Sequence, residues 1–139
     1  MASQISMVTA EYQVRAITGD EFIIIYTRGS AMVNACLAHF LCMFNSSKDE
    51  WVAGQDVEYT TALDKEKNLK EEENMKPVVI QVCVHNLCLV YHICHANVEC
   101  EEFKKFLAGN LVKFIIVDFT TDIRILGRIG LVVGNPFDL

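Results

Sequence analysis

The sequence predicts an α/β fold: a mixed sheet opened by an N-terminal β-hairpin and flanked by helices. Three observations predict it. Apolar residues come in short bursts broken by turn and charge signals, and no run is long enough to cross a bilayer. Alternating, β-rich segments are interleaved with segments of helical period. Residues 112–119 are almost continuously apolar, which is how a buried central strand reads.

Residues 12–16 and 21–26 read as two strands joined by a turn at Thr18-Gly19-Asp20. Ser30 is placed to cap a helix, behind which Val33, Leu37, Phe40, Leu41 and Phe44 recur at helical spacing. That helix should end near Asn45-Ser46-Ser47, and residues 51–60 form the next strand. Residues 64–76 carry mixed charge and read as a solvated loop between strands. Pro77 should open a second hairpin, with strands over 78–84 and 87–93 and a tight turn at His85-Asn86. Asn97 is expected to cap a short helix with Phe103, Phe106 and Leu107 on its apolar stripe and Gly109 as its stop. After the strand at 112–119, Thr121 should cap a last helix bearing Ile125, Leu126 and Ile129.

The order is hairpin, helix, three strands, helix, strand, helix. Its three successive strands followed by a helix, a strand and a helix match the start of a ribonuclease H-like fold. There three strands form an antiparallel meander and the next strand lies parallel to the first. The length, 139 residues, is that of one domain, and 52% of the residues are hydrophobic, enough to build a core. The first twenty residues have neither the pattern of a secretory signal nor the arginine content of a transit peptide. The expected location is the cytoplasm, with the nucleus accessible by size. The net charge of −6 weakens nucleic-acid binding by charge alone, yet it leaves room for a metal-dependent nuclease, whose cations offset its carboxylates.

Asp56 and Glu58 are two apart on one strand, so both side chains point to one face. Two ionised carboxylates there repel each other, and a divalent cation is the common remedy. A solvated strand face carries the same tripeptide equally well. The six cysteines (Cys36, Cys42, Cys83, Cys88, Cys94 and Cys100) include no CxxC pair and read as reduced, mostly buried small hydrophobes. Cys83 and Cys88 should face each other across the hairpin, where a reversible disulfide is geometrically allowed. A zinc site made of these two and His92 is not expected, because His92 lies about 13 Å along the strand from Cys88. No phosphate-cradling glycine loop or nucleophile-elbow serine occurs. A cysteine nucleophile paired with His39, His85, His92 or His95 stays open, with no local support.

Three stretches then combine: Gly54-Gln55-Asp56-Val57-Glu58-Tyr59, Val79-Ile80-Gln81-Val82-Cys83-Val84 and Cys88-Leu89-Val90-Tyr91. Together they resemble the opening of plant Werner-type 3′–5′ exonuclease domains, DEDD exonucleases of ribonuclease H-like fold. Residues 101–108 look like the family helix after the third strand. The run from Val117 to Ile123, with Leu126, looks like the second acidic motif, and the similarity covers the chain from about Tyr12 onward. The resemblance implies a two-metal mechanism using Mg²⁺ or Mn²⁺, with Asp56, Glu58 and Asp122 as catalytic and metal-binding carboxylates. No other cofactor is implied. Asp122 also sits where a helix dipole favours any carboxylate.

The family's third acidic motif lies on a later helix and has no counterpart here, so the resemblance implies an incomplete, C-terminally truncated domain. Gln55 stands where the family buries an apolar residue, and Tyr59 replaces a tryptophan. The charged loop is longer than usual. Without later helices, apolar surface should be open, which predicts a homo-oligomer or a protein partner. The favoured reading is a catalytically inactive relative acting through protein–protein interaction, as a regulator or one of a toxin–antidote pair. The alternative is a metal-dependent 3′–5′ exonuclease on DNA or RNA.

Overall fold

A computed structural model describes residues 9–61, 75–96 and 99–139. Seven strands form one sheet: β1 (Thr9–Arg15), β2 (Glu21–Thr27), β3 (Val52–Thr61), β4 (Met75–Val84), β5 (Leu87–Tyr91), β6 (Lys113–Ile116) and β7 (Pro136–Asp138). Among the described residues three α-helices accompany them: α1 (Ser30–Ser46), α2 (Glu101–Ala108) and α3 (Phe119–Arg128). The spatial order is β1-β2-β5-β4-β3-β6-β7. Strands β3, β4 and β5 form the expected antiparallel meander, and β6 runs parallel to β3. The N-terminal hairpin joins the other side through β2, parallel to β5.

Register divides the sheet into two unlike faces, because paired residues point the same way. On one face lie Ala53, Val57, Ile80, Val82, Leu89, Tyr91, Phe114 and Ile116, all buried. Val33, Leu37, Phe40 and Phe44 of α1 and Phe103 and Leu107 of α2 join them in one core. Aromatic contacts lock the layers: Phe44 stacks on Trp51 at 5.1 Å, and Tyr91 meets Phe103 edge-on at 5.2 Å. On the other face Ile24, Val79, Cys83, Cys88, Val90 and Ile115 are only half-buried, and Tyr12, Val14 and Phe137 are exposed. This second face therefore carries apolar side chains that are only partly covered.

Several boundaries differ from expectation. Gly29, not Ser30, precedes α1, and its N–H is held by the Thr27 hydroxyl at 3.0 Å. Leu41 flanks the stripe and is largely exposed. Pro77 does not open β4 but lies inside it. The register slips there, Glu58 pairing with Val79 and Tyr59 with Pro77, because proline has no N–H for an unbroken ladder. Strand β5 stops at Tyr91, and Ile93–His95 turn into a 3₁₀ helix. Helix α2 begins after Cys100, not at Asn97, which lies outside the described residues, as does most of the charged loop.

The apolar strand at 112–119 is shorter than its composition suggests. It ends at Ile116, Val117 is exposed, and Phe119 already starts α3, so Thr121 is inside the helix rather than its cap. After α3 the chain returns along α2, where the Gly134 N–H donates to the Leu107 carbonyl at 2.9 Å, and then adds β7 beside β6. Among the described residues, no helix is long and apolar enough to cross a membrane.

Candidate metal centre

Strand β3 lies between β4 and β6 near the middle of the sheet. Alternation buries Ala53, Gln55 and Val57 on the helix-covered face and exposes Gly54, Asp56 and Glu58 on the other. The two carboxylates therefore share the open face. Asp56 is level with Gln81 of β4, and Glu58 with Val79.

The third carboxylate arrives through topology. Because β6 is parallel to β3 and ends with Ile116 level with Gln55, the next residues carry the chain alongside Asp56. Helix α3 starts there, packs against β3 and β4, and places Asp122 in its first turn. Asp122 is 1% exposed, whereas Asp56 and Glu58 are open to solvent. The backbone N–H of Val57 donates to the Asp122 carboxyl, but its Oδ2 has no partner among the described residues.

Burial raises the Asp122 pKa from 3.8 to about 7. The neighbouring Asp56, through its charge and the contact of the two carboxyl groups, and the charge of Asp118 push the same way, against the Val57 hydrogen bond. The cluster thus contains a buried carboxyl that binds its proton far more readily than a free aspartate does. Asp118 is the member that sequence reasoning left out. Its spacing of four residues from Asp122 in a helical segment was the available signal, and its carbonyl accepts from the Asp122 N–H at 2.9 Å.

An unpartnered, buried carboxylate oxygen beside a second carboxyl is what a hard cation would satisfy. Oxygen-only donors suit Mg²⁺ or Mn²⁺ rather than a thiolate-seeking metal. Asp56 and Asp122, in contact, fit such an ion, whereas Glu58 stands on the same open face and its carboxylate is not gathered with both of them within 4.8 Å.

Gln55 is buried at 4% exposure between Val82 and Ile116, and neither end of its amide has a partner among the described residues. Cys83 and Cys88 do face each other across the hairpin. His92 leaves the strand and does not join them.

No protein-family model and no curated protein matches the chain. Solved structures do. The EXD2 exonuclease domain superposes with a TM-score of 0.65 at 20% identity, over 84% of this chain and 56% of that one. The same domain soaked in Mg and GMP gives 0.62 at 19% identity, over 84% and 55%. The Trypanosoma brucei RNase D:GMP complex gives 0.63 at 12% identity, over 83% and 32%. The chain spans just over half the length of the EXD2 domain and about a third of the RNase D chain. At these identities the likeness concerns architecture: the chain has the mixed α/β, ribonuclease H-like fold of exonuclease domains.

Proposed function

We propose that Asp56, Glu58 and Asp122 form a divalent-cation centre of the 3′–5′ exonuclease kind, acting on a phosphodiester of DNA or RNA. The observation that carries this reading is the buried Asp122 carboxyl, brought from a separate helix against Asp56 with one oxygen unpartnered. Crystals of the similar EXD2 domain were soaked in Mg or Mn with GMP. The sequence likeness to plant Werner-type exonuclease domains points to the same three residues.

In this reading Asp56 and Asp122 would hold the cation, and Glu58 would contribute from the same strand face. Bound Mg²⁺ or Mn²⁺ would stabilise charge on the attacking and leaving oxygens of the phosphodiester. The Val57 N–H orients the Asp122 carboxyl, and the Asp122 proton must leave before that oxygen can ligate. With a net charge of −6, the chain has little general attraction for phosphate, so substrate binding depends on the cation.

A second reading follows from the open face of the sheet. Half-buried Ile24, Val79 and Val90 with exposed Tyr12 and Val14 make an apolar surface suited to self-association or a protein partner. The carboxylates would then be vestigial, and the chain would act as an inactive relative in a regulatory or toxin–antidote role.

One experiment separates the two. Purified protein is incubated with labelled single- and double-stranded DNA and RNA plus Mn²⁺, beside an Asp56→Ala/Glu58→Ala control, and its mass is measured by light scattering. The centre predicts cleavage that disappears in the control. No cleavage, together with a dimer or larger species, favours the interaction reading.

A further inference from the structure

The chain leaves β5 at Tyr91 and tightens at once into the 3₁₀ turn Ile93–His95. This turn gathers three side chains of metal-ligating type. Ligand atoms of His92, Cys94 and His95 all lie within 4.8 Å of one another. A tetrahedral zinc site with Zn–N of about 2.0–2.1 Å and Zn–S of about 2.3 Å needs its donor atoms roughly 3.3–3.7 Å apart. The set need therefore close by at most about 1 Å, within the freedom of the exposed Cys94 and His95 side chains. A fully extended chain would separate these residues, whereas a 3₁₀ turn stacks positions three apart on one face. The backbone holds that turn: His92 donates to Thr27 at 2.8 Å, His95 to His92 at 3.2 Å and Ala96 to Ile93 at 3.1 Å.

We propose that His92, Cys94 and His95 form a zinc site, separate from the carboxylate cluster, with three protein ligands and a fourth position left to water. The donor set favours a borderline-soft ion, since two imidazoles and a thiolate bind Zn²⁺ far better than Mg²⁺ or Mn²⁺. Orientation favours it too. The Tyr26 hydroxyl hydrogen-bonds the Nδ1 of His92, and the two rings lie 5.4 Å apart. A partner on one imidazole nitrogen fixes the ring and leaves Nε2 for a metal, the usual arrangement around ligating histidines. The His92 and His95 rings stand edge to face, with centroids 4.6 Å apart, and the exposed His95 ring is free to turn a nitrogen toward the fixed His92. Arg28 is close enough to act on His92 electrostatically. The Cys94 thiolate offsets that positive charge when a dication binds. Three ligands with an open position is the pattern of a zinc site that can exchange a bound group, not of a closed structural one.

The test uses the full chain and Co²⁺ as a spectroscopic probe, followed by displacement with Zn²⁺. The site predicts a near-ultraviolet sulfur-to-cobalt charge-transfer band that saturates at one equivalent of Co²⁺ in the Asp56→Ala/Glu58→Ala chain, where the carboxylate cluster no longer competes, and that is lost on adding Zn²⁺. Cys94→Ser should abolish the band. His95→Gln should weaken binding by at least about tenfold, and Tyr26→Phe by about tenfold through loss of the orienting hydrogen bond. The band should survive in Cys42→Ser, Cys83→Ser/Cys88→Ser and Asp56→Ala/Glu58→Ala chains, each checked for fold by circular dichroism. A missing thiolate band overturns the proposal. So does one that persists in Cys94→Ser, or one that vanishes with the Cys83/Cys88 pair.

Discussion

The carboxyl of Asp122, on α3, lies against that of Asp56, on β3, and only Asp56 is open to solvent. The two come from distant parts of the chain, and the parallel β3–β6 pairing brings them together. Like-charged neighbours without a cation settle by keeping a proton, and burial decides that Asp122 keeps it.

That assignment predicts a pH dependence. Folded Asp122 titrates at about 7 and its unfolded counterpart at 3.8. Between these values the native chain binds more protons than the unfolded one, so the Asp122 contribution to stability falls as pH rises. It is fully present below pH 3.8 and gone once the pH passes about 7. In chelator, the melting temperature of the wild type relative to Asp122→Asn should decline across that window. Adding Mn²⁺ above pH 7 should restore it for the wild type alone. Parallel melting curves for the two chains would remove Asp122 as the titrating group.

Gln55 predicts a gain on replacement. Its amide is buried between Val82 and Ile116 without a partner among the described residues. An unsatisfied buried polar group costs about 1–3 kcal/mol. Gln55→Leu, close in volume, should therefore raise stability by about that amount in urea denaturation. A loss of stability would mean that the amide has a partner after all.

Gly134 predicts a loss. A Cβ built there would sit 2.1 Å from the Ala108 carbonyl oxygen and 2.7 Å from that of Gly109. Both are backbone atoms and cannot swing aside. Gly134→Ala should break the Gly134–Leu107 hydrogen bond and destabilise the fold by about 1–3 kcal/mol. Chemical denaturation measures this, and an unchanged midpoint would show that α2 and the returning chain are not so closely joined.

Cys88 predicts selective reactivity. A hydrogen bond from the Cys83 thiol lowers the Cys88 pKa to about 7, against the opposing effect of burial, while Cys83 itself is pushed well above the usual thiol range. Iodoacetamide at neutral pH should alkylate Cys88 much faster than buried Cys36, whose pKa burial raises to about 11. Cys83→Val should slow Cys88 by about tenfold, since the thiolate fraction falls faster than nucleophilicity rises. Mass spectrometry of timed aliquots reads both rates.

Much of the architecture was legible because period and burial agree. The meander shows as alternation in Ala53-Gly54-Gln55-Asp56-Val57-Glu58 and in Ile80-Gln81-Val82-Cys83-Val84, and α1 shows in Val33, Leu37, Phe40 and Phe44. The illegible parts are those set by tertiary context. Val117 and Phe119 are as apolar as Ile116, so composition could not tell where β6 stops and α3 begins. Strand β7 has three residues, one of them proline, and exists because β6 offers it an edge. At the candidate site, spacing put Asp56 and Glu58 on one face, and the family likeness added Asp122. Neither could reveal that Asp122 alone is buried. The grouping of His92 with Cys94 and His95 was missed because residues 87–93 read as continuous strand, and it becomes visible only when the chain tightens after Tyr91.

The unequal faces of the sheet have a consequence for how this molecule can change over generations. Residues that hold it together point one way along each central strand, and Asp56, Glu58, Gln81 and Cys88 point the other. A substitution at the second set removes little packing, so its effect on folding is small whatever it does to chemistry. Heritable variation can therefore sample new ligands and new reactivity along one side of the sheet, while the helix-covered side keeps each variant foldable.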